Sequence, residues 1–147
     1  MFWGMSHVDF KKYMDELGMT IVASHCDINQ NFEKKIEDAA AIGMKYLICP
    51  SVDAQATADD YKKLAEQFNH CGEVCKKAGL RFAYHNHNHD FKTINDLVPL
   101  EIFLQNTNAE LVDFEMDIYW VVTASYFSFI HGNKRLDRGF ATNACRQ

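Results

Sequence analysis

The feature that most constrains this chain is a segment that occurs three times, at residues 16–25, 41–50 and 77–86. In each copy, a helical pattern of polar and apolar residues leads to a glycine, and a short apolar run follows it. A glycine suits the left-handed position just past the end of a helix, where a Cβ would be strained. The repeat therefore predicts a chain built from helix-then-strand units.

A weaker fourth copy covers residues 107–117, and we expect Asn108 to take the place of the glycine there, since asparagine tolerates the same conformation. Helix starts are also readable. Ser6 and Thr57 are typical N-cap residues, and Phe32 opens a third apolar helical pattern. A fourth helix is predicted to begin near Asp96, with Pro99 in its first turn.

The predicted order is α-β-α-β-α-β-α-β, which favours an α/β fold with about four parallel strands and intervening helices. Two architectures fit this order: an open doubly wound sheet, and part of a (β/α)8 TIM barrel, which needs roughly 250 residues when complete. The chain has 147 residues and lacks a glycine-rich phosphate-binding loop after any strand, which weakens the nucleotide-binding alternative.

Composition narrows the class of partner. The formal net charge of −5 argues against binding to the nucleic-acid backbone, which needs clustered basic residues. We therefore expect no nucleic-acid partner. We also expect no membrane association, because no apolar run approaches the length of a membrane span.

The five cysteines and the absence of a recognisable signal peptide predict free thiols and a cytoplasmic protein. Cys71 and Cys75 stand one helical turn apart, and burial is the favoured interpretation over metal binding.

Polar residues gather where the predicted strands end. His25 follows the first strand, a run of alternating histidine and asparagine over residues 85–89 follows the third, and Glu115 and Asp117 follow the fourth. Ligands of parallel α/β folds bind at the carboxyl ends of the strands, so these groups are expected to converge.

The period of an extended chain places His85, His87 and His89 on one side and Asn86 and Asn88 on the other. Imidazoles with a carboxylate suit a divalent transition metal such as Zn, Mn, Co or Fe. A loop can also hold exposed histidines without function, and spacing alone leaves open which residues are ligands and which contact substrate.

The stretches 78–87 and 114–122 together resemble the sugar phosphate isomerase/epimerase family, which has the xylose isomerase-like TIM-barrel fold. The resemblance runs from about residue 2 to about residue 130. It implies a partial (β/α)8 barrel, with about two strands absent on each side of the part present.

The resemblance also implies a site. Family members bind a divalent metal through Glu, Asp, His and Glu at strand ends, and use carboxylates to remove a proton next to a sugar carbonyl through an enediolate. On this chain, Asp117 matches the metal-binding Asp, and His85 stands at a metal-ligand position where the family has Glu. His85 and Glu115 are the expected catalytic residues. His25, Asn86, His87 and Trp120 are the expected substrate-binding residues, Trp120 forming an apolar wall near His25.

The implied cofactor is Mn, Co, Zn or Mg, bound weakly or not at all because the ligand set is incomplete. The implied partner is a small sugar or sugar phosphate. We expect residues 1–131 to form the partial barrel domain and residues 132–147 to be a divergent or disordered tail. Unpaired sheet edges predict either association, for example as a homo-oligomer, or marginal stability of the isolated chain.

The sequence leaves three functions open. The first is a metal-dependent sugar isomerase or epimerase, inactive if the chain is truncated. The second is a non-catalytic remnant or a sugar-binding half-barrel that requires a partner. The third, suggested by the letters His-Asn-His and by the kinship of this barrel with abasic-site endonucleases, is a nuclease, which the acidic balance disfavours.

Overall fold

The computed structural model describes residues 4–124. The predicted terminal segments, including the tail at 132–147 and Cys145, lie wholly or partly outside these residues. Helices and strands alternate as the repeat predicts, with one added 3₁₀ turn. The elements, in chain order, are α1 (His7–Glu16), β1 (Ala23–His25), α2 (Phe32–Ala41), β2 (Tyr46–Cys49), α3 (Ala58–Lys77), β3 (Arg81–His85), the 3₁₀ turn (Asn88–Phe91), α4 (Pro99–Asn106), β4 (Val112–Glu115) and α5 (Ile118–Thr123).

Local capping chemistry explains where the helices begin and end. The hydroxyl of Ser6 accepts a hydrogen bond from the Asp9 amide, and the hydroxyl of Thr57 accepts one from the Asp60 amide. Each bond satisfies a backbone N–H that has no partner inside its helix. Gly18, Gly43 and Gly79 then follow α1, α2 and α3 with φ of +66°, +77° and +78°. The left-handed position predicted from the repeat is confirmed at all three.

The fourth unit departs from the prediction in two places. Helix α4 begins at Pro99, three residues after Asp96, which itself has a positive φ of 63° and therefore lies outside the helix. Asn108 does not have a positive φ. Instead its backbone N–H donates to the side-chain oxygen of Asn69 on α3, and its own side-chain oxygen accepts from the Glu110 amide. A side-chain clamp replaces the glycine turn.

The four strands form one parallel sheet in the order β1-β2-β3-β4. Ala23 pairs with Tyr46, Tyr46 with Arg81, and Phe82 with Val112. Strand order that follows chain order is the arrangement of a (β/α)8 barrel, whereas a doubly wound sheet reverses direction at a switch point. The prediction of a partial barrel with four parallel strands is confirmed.

The core lies between the sheet and the helices. Phe82 and Tyr84 on β3 face Phe68 on α3 and Phe103 on α4, and all four are fully buried. The ring centroids of Phe68 and Tyr84 are 5.0 Å apart, and those of Tyr84 and Phe103 are 5.1 Å apart. The alternate residues of β3, including His85, point to the opposite side of the sheet. The aromatic layer therefore fixes β3 from one side and leaves its other side for polar groups.

The cysteines pack as apolar residues. Cys26, Cys49, Cys71 and Cys75 are free and buried, which agrees with the favoured interpretation of Cys71 and Cys75. Burial raises the pKa of Cys26 to about 11 and the pKa values of the other three to about 12. Within residues 4–124, no helix has the length and apolarity needed to cross a membrane.

Candidate metal centre

Three side chains from three strands meet at the carboxyl end of the sheet. His25 is the last residue of β1, His85 is the last residue of β3, and Glu115 is the last residue of β4. His85 pairs directly with Glu115 in the register of β3 and β4. Because parallel strands all end at the same edge, the fold brings together residues that are up to 90 positions apart in the chain.

One carboxylate oxygen lies at the centre of this group. Oε2 of Glu115 is 2.9 Å from Nε2 of His25 and 2.8 Å from Nδ1 of His85. The two imidazole rings are tilted against each other, with centroids 5.1 Å apart. One potential ligand atom from each of the three residues lies within 4.8 Å of the others.

The group is accessible at its rim and enclosed at its base. The side chains of His25, Glu115 and His85 are 50%, 38% and 15% exposed. Two imidazole nitrogens and a carboxylate oxygen are the donors that divalent transition metals such as zinc prefer. The residues present therefore fit a metal of this kind, and within the described part of the chain no other group of three His, Cys, Asp or Glu side chains does.

The expected metal ligand Asp117 stands beside this group. Its Oδ2 is 3.6 Å from Nε2 of His85, while its Oδ1 caps α5 by accepting from the amides of Tyr119 and Trp120. Asn86 holds the Asp117 backbone from both sides, because it donates to the Asp117 carbonyl and accepts from the Asp117 N–H. Asn86 is only 3% exposed, so in this structure it positions Asp117.

His87, His89 and Trp120 extend the site along the rim. The strand ends at His85 rather than running on, and His89 lies in the 3₁₀ turn, so the expected extended segment is shorter. The three imidazoles still stand in a row, with centroids 5.0 Å apart for His85 and His87 and 5.8 Å apart for His87 and His89. The Trp120 ring packs against His87 at 5.3 Å. Burial, with His85 nearby, lowers the pKa of His87.

A buried carboxylate, that of Asp90, contacts the backbone of this row of histidines. Asp90 is fully buried, and its carboxylate accepts from the Tyr84 hydroxyl at 2.9–3.0 Å and from the His87 amide at 2.7 Å. Burial raises the pKa of Asp90 and also that of Tyr84. Sequence patterns did not reveal this pair, because a tyrosine on the apolar side of a strand reads as an ordinary core residue.

Comparison with known proteins identifies the fold family. The family model described as the xylose isomerase-like TIM barrel matches residues 5–138. The chain belongs to this family. The resemblance predicted from residues 78–87 and 114–122 is thus confirmed.

Comparison with solved structures agrees with this family assignment. The chain is 28% identical to a sugar phosphate isomerase/epimerase from Parabacteroides distasonis, with a TM-score of 0.83 over 89% of this chain and 54% of that one. A second sugar phosphate isomerase/epimerase from the same organism is 26% identical, with a TM-score of 0.79 over 90% of this chain and 60% of that one. A structure of the IolI protein with zinc bound has a TM-score of 0.65 at 16% identity, over 84% of this chain and 50% of that one, and shares the fold alone. No curated protein sequence matches the chain significantly.

The chain spans 54% and 60% of the two Parabacteroides proteins it matches. Within the xylose isomerase-like fold, its four strands place three potential metal ligands at the mouth of the barrel. His25, expected to line the pocket, is one of the three. The sequence carried one indication of this, since His25 ends a predicted strand as His85 does.

Proposed function

We propose that this chain contributes a divalent-metal centre to a sugar isomerase or epimerase, with His25, His85 and Glu115 as ligands. The observation that carries the proposal is the contact of both imidazoles with one Glu115 oxygen at the strand ends. A divalent ion bound there supplies Lewis-acid polarisation of a sugar carbonyl. Asp117 is the fourth ligand in this proposal, because its Oδ2 is not used in capping α5 and lies near His85.

The donor set narrows the cofactor. Two imidazole nitrogens favour zinc, manganese or cobalt over magnesium, which prefers an all-oxygen shell. Zinc in the IolI structure supports the same choice for this fold. We therefore rank zinc, manganese and cobalt above magnesium among the expected metals.

Glu115 is the proposed proton acceptor. Isomerisation and epimerisation of sugars both begin by removing a proton from the carbon next to a carbonyl, and a positioned carboxylate is a common base for this step. Within residues 4–124, Oε1 of Glu115 makes no hydrogen bond, whereas Oε2 is held by His25 and His85. Without a metal the histidines thus hold Oε2, and a metal bound by these imidazoles would hold it in their place. In both cases Oε1 is free for the proton.

The neighbouring rings form the proposed sugar-binding wall. His87 and Trp120 pack together beside His85, and flat rings can cover the C–H face of a sugar. His25, being half exposed, is able to donate to a sugar oxygen when no metal is bound. Asn86 is assigned a positioning role through Asp117.

The test uses the full chain and separates metal binding from proton transfer. Calorimetric titration with zinc or manganese is expected to show one site per chain, which His85→Ala and Glu115→Gln weaken by at least about 100-fold. His70→Ala is the matched control, because His70 is an exposed histidine of α3 outside the site. Proton NMR in D₂O with D-fructose then reports exchange of the proton next to the carbonyl. Metal binding that all three variants share equally would contradict the proposed centre.

A sugar-binding half-barrel without catalysis is the second candidate. It is favoured by one observation, that both imidazoles contact Oε2 of Glu115 directly, so these groups have partners without a metal. This candidate expects metal or sugar binding with no proton exchange in the same NMR measurement, whereas the catalytic proposal expects exchange that Glu115→Gln abolishes.

A further inference from the structure

A buried carboxylate that the proposed chemistry does not use lies beside the row of histidines. Asp90, in the 3₁₀ turn, is fully buried. Within residues 4–124 no lysine or arginine pairs with it, and the basic side chain that approaches it is His89. A buried carboxylate without a strong cationic partner costs stability, and an apolar residue of similar size avoids this cost. The acid therefore points to a role other than packing.

The polar groups in contact with this carboxylate are hydrogen-bond donors. The Tyr84 hydroxyl donates to both oxygens, at 3.0 Å to Oδ1 and 2.9 Å to Oδ2. The His87 amide donates to Oδ2 at 2.7 Å. On the other side, Nε2 of His89 lies 3.6 Å from Oδ1. An ionised carboxylate suits these surroundings, because it only accepts hydrogen bonds.

His89 lies between Asp90 and the loop that follows β2. Its Nε2 is 3.0 Å from the carbonyl oxygen of Val52. A carbonyl oxygen can only accept, so Nε2 carries the hydrogen. The ring of His89 stacks on that of His87, with an angle of 18° between the two planes. Asp90 thus contacts His87 through its backbone and His89 through its ring.

An amide of the same shape does not suit this position. In Asp90→Asn, an NH₂ group takes the place of one of the two oxygens. At the Oδ2 position it faces the His87 N–H, and at the Oδ1 position it faces the His89 N–H. Either orientation sets two donors against each other, which is unfavourable in a buried place. The substitution is therefore expected to displace His87 or His89, although it changes no volume.

We propose that Asp90 is a positioning residue of the candidate site, which fixes the backbone of His87 and the ring of His89. It acts through these residues, because its own side chain is fully buried and cannot reach a ligand. The inference rests on the proposed function, since His87 forms the proposed sugar-binding wall together with Trp120. It adds to that function the residue that holds the wall in place.

The test places Asp90→Asn in the full chain and records the imidazole signals by ¹H–¹⁵N and ¹H–¹³C NMR, assigned with His87→Gln and His89→Gln. We expect the signals of His87 or His89 to move. D-fructose binding, followed by saturation-transfer NMR and calorimetry, should weaken at least about fivefold. Manganese affinity should change by less than about twofold, because within residues 4–124 Asp90 has no hydrogen bond or ion pair to the three proposed ligands.

Two further variants complete the design. Asp113→Asn is the matched control, because it makes the same chemical change in β4, where Asp113 pairs with Arg81 at the start of β3. It should leave the histidine signals and D-fructose binding unchanged. Tyr84→Phe removes one donor to Asp90 and adds none, so a smaller movement of the same signals is expected. This variant decides the question if Asp90→Asn does not fold, which circular dichroism reports.

Manganese binding distinguishes this inference from the proposed metal centre. If manganese does not bind while Asp90→Asn moves the histidine signals and weakens D-fructose binding, the positioning role holds and the metal centre fails. If manganese binds while the signals stay in place in Asp90→Asn and Tyr84→Phe, the metal centre holds and the positioning role is overturned. Signals that move equally in Asp113→Asn also overturn it. So do displaced signals with unchanged D-fructose binding, and a wild-type chain that does not bind D-fructose.

Discussion

The two sides of strand β3 differ sharply in chemistry. Phe82 and Tyr84 point toward the helices and are fully buried in an aromatic layer, whereas His85, one residue further, lies at the open mouth among imidazoles and carboxylates. Adjacent residues of one strand thus serve packing and chemistry separately. Substitutions on the two sides of the strand are therefore expected to affect different properties, stability on the aromatic side and ligand binding at the mouth.

The largest loss of stability is expected from a substitution in the aromatic layer. Phe103 is fully buried and contacts the rings of Tyr61, Phe68 and Tyr84 at 5.1–5.4 Å. Phe103→Ala should lower the free energy of unfolding by about 3–5 kcal/mol, because it removes burial and leaves a cavity. Urea denaturation measures this change, and Phe103→Leu is the milder version if the alanine variant does not fold. Tyr119→Ala, at an exposed aromatic residue of α5, is the control and should change stability by less than about 0.5 kcal/mol.

A smaller loss of stability is expected from a substitution where α3 contacts the segment that leads into β4. A Cβ added to Gly72 would lie 2.8 Å from the carbonyl carbon of Leu111 and closer still to its oxygen. In an open helix, Gly→Ala gains about 1 kcal/mol, but here the backbone of Leu111 must move. Gly72→Ala is therefore expected to destabilise the protein by about 1–3 kcal/mol in urea denaturation, with the exposed neighbour substitution Glu73→Ala as control. A stabilised Gly72→Ala variant would contradict the close packing.

The distance along the chain between interacting residues explains how much of the structure the sequence could predict. Local signals predicted the helix caps at Ser6 and Thr57 and the left-handed glycines after three helices, because each depends on a few neighbouring residues. Parallel topology then implied that polar strand ends would meet, and the structure does bring His25, His85 and Glu115 together.

Long-range side-chain contacts were beyond such reasoning. The Asn69–Asn108 clamp that replaces a glycine turn joins residues 39 positions apart, and nothing in the local pattern distinguishes it. The contact between Trp120 and His87 depends on how α5 follows the Asp117 cap. The Tyr84–Asp90 pair is likewise decided by tertiary packing.

That buried pair gives an expected pH dependence. Burial raises the pKa of Asp90 in the folded state above its ordinary value of 3.8. Between pH 3.8 and this raised pKa, the folded state therefore binds more protons than the unfolded state. The contribution of Asp90 to stability is therefore fully present below pH 3.8 and is lost as the pH rises through the folded pKa. The stability of the wild type relative to Asp90→Asn should increase as the pH falls from 7 to 4, in urea denaturation at each pH.

Asp59 is the control for this measurement, because its pKa is shifted in the other direction. A hydrogen bond from Lys62 lowers the pKa of Asp59, so its contribution is present above 3.8 and is lost as the pH falls. The stability of the wild type relative to Asp59→Asn should thus change with pH in the opposite sense. A pH-independent difference for Asp90→Asn would mean that burial does not raise the pKa of Asp90.

The smallest effect on stability is expected at the carboxyl end of the sheet, where His25, His85 and Glu115 lie. This region is the direct counterpart of the aromatic layer on the other side of β3. His25 is half exposed, and its contact with the partly exposed Glu115 is the kind of surface ion pair that contributes little to folding. His25→Ala should change the free energy of unfolding by less than about 0.5 kcal/mol, while it removes one of three proposed metal ligands. Urea denaturation of the metal-free protein, paired with zinc titration of the same variant, measures both quantities. A His25→Ala variant that loses as much stability as Phe103→Ala would show that the mouth also holds the sheet together, and the division between the two sides of the sheet would fail.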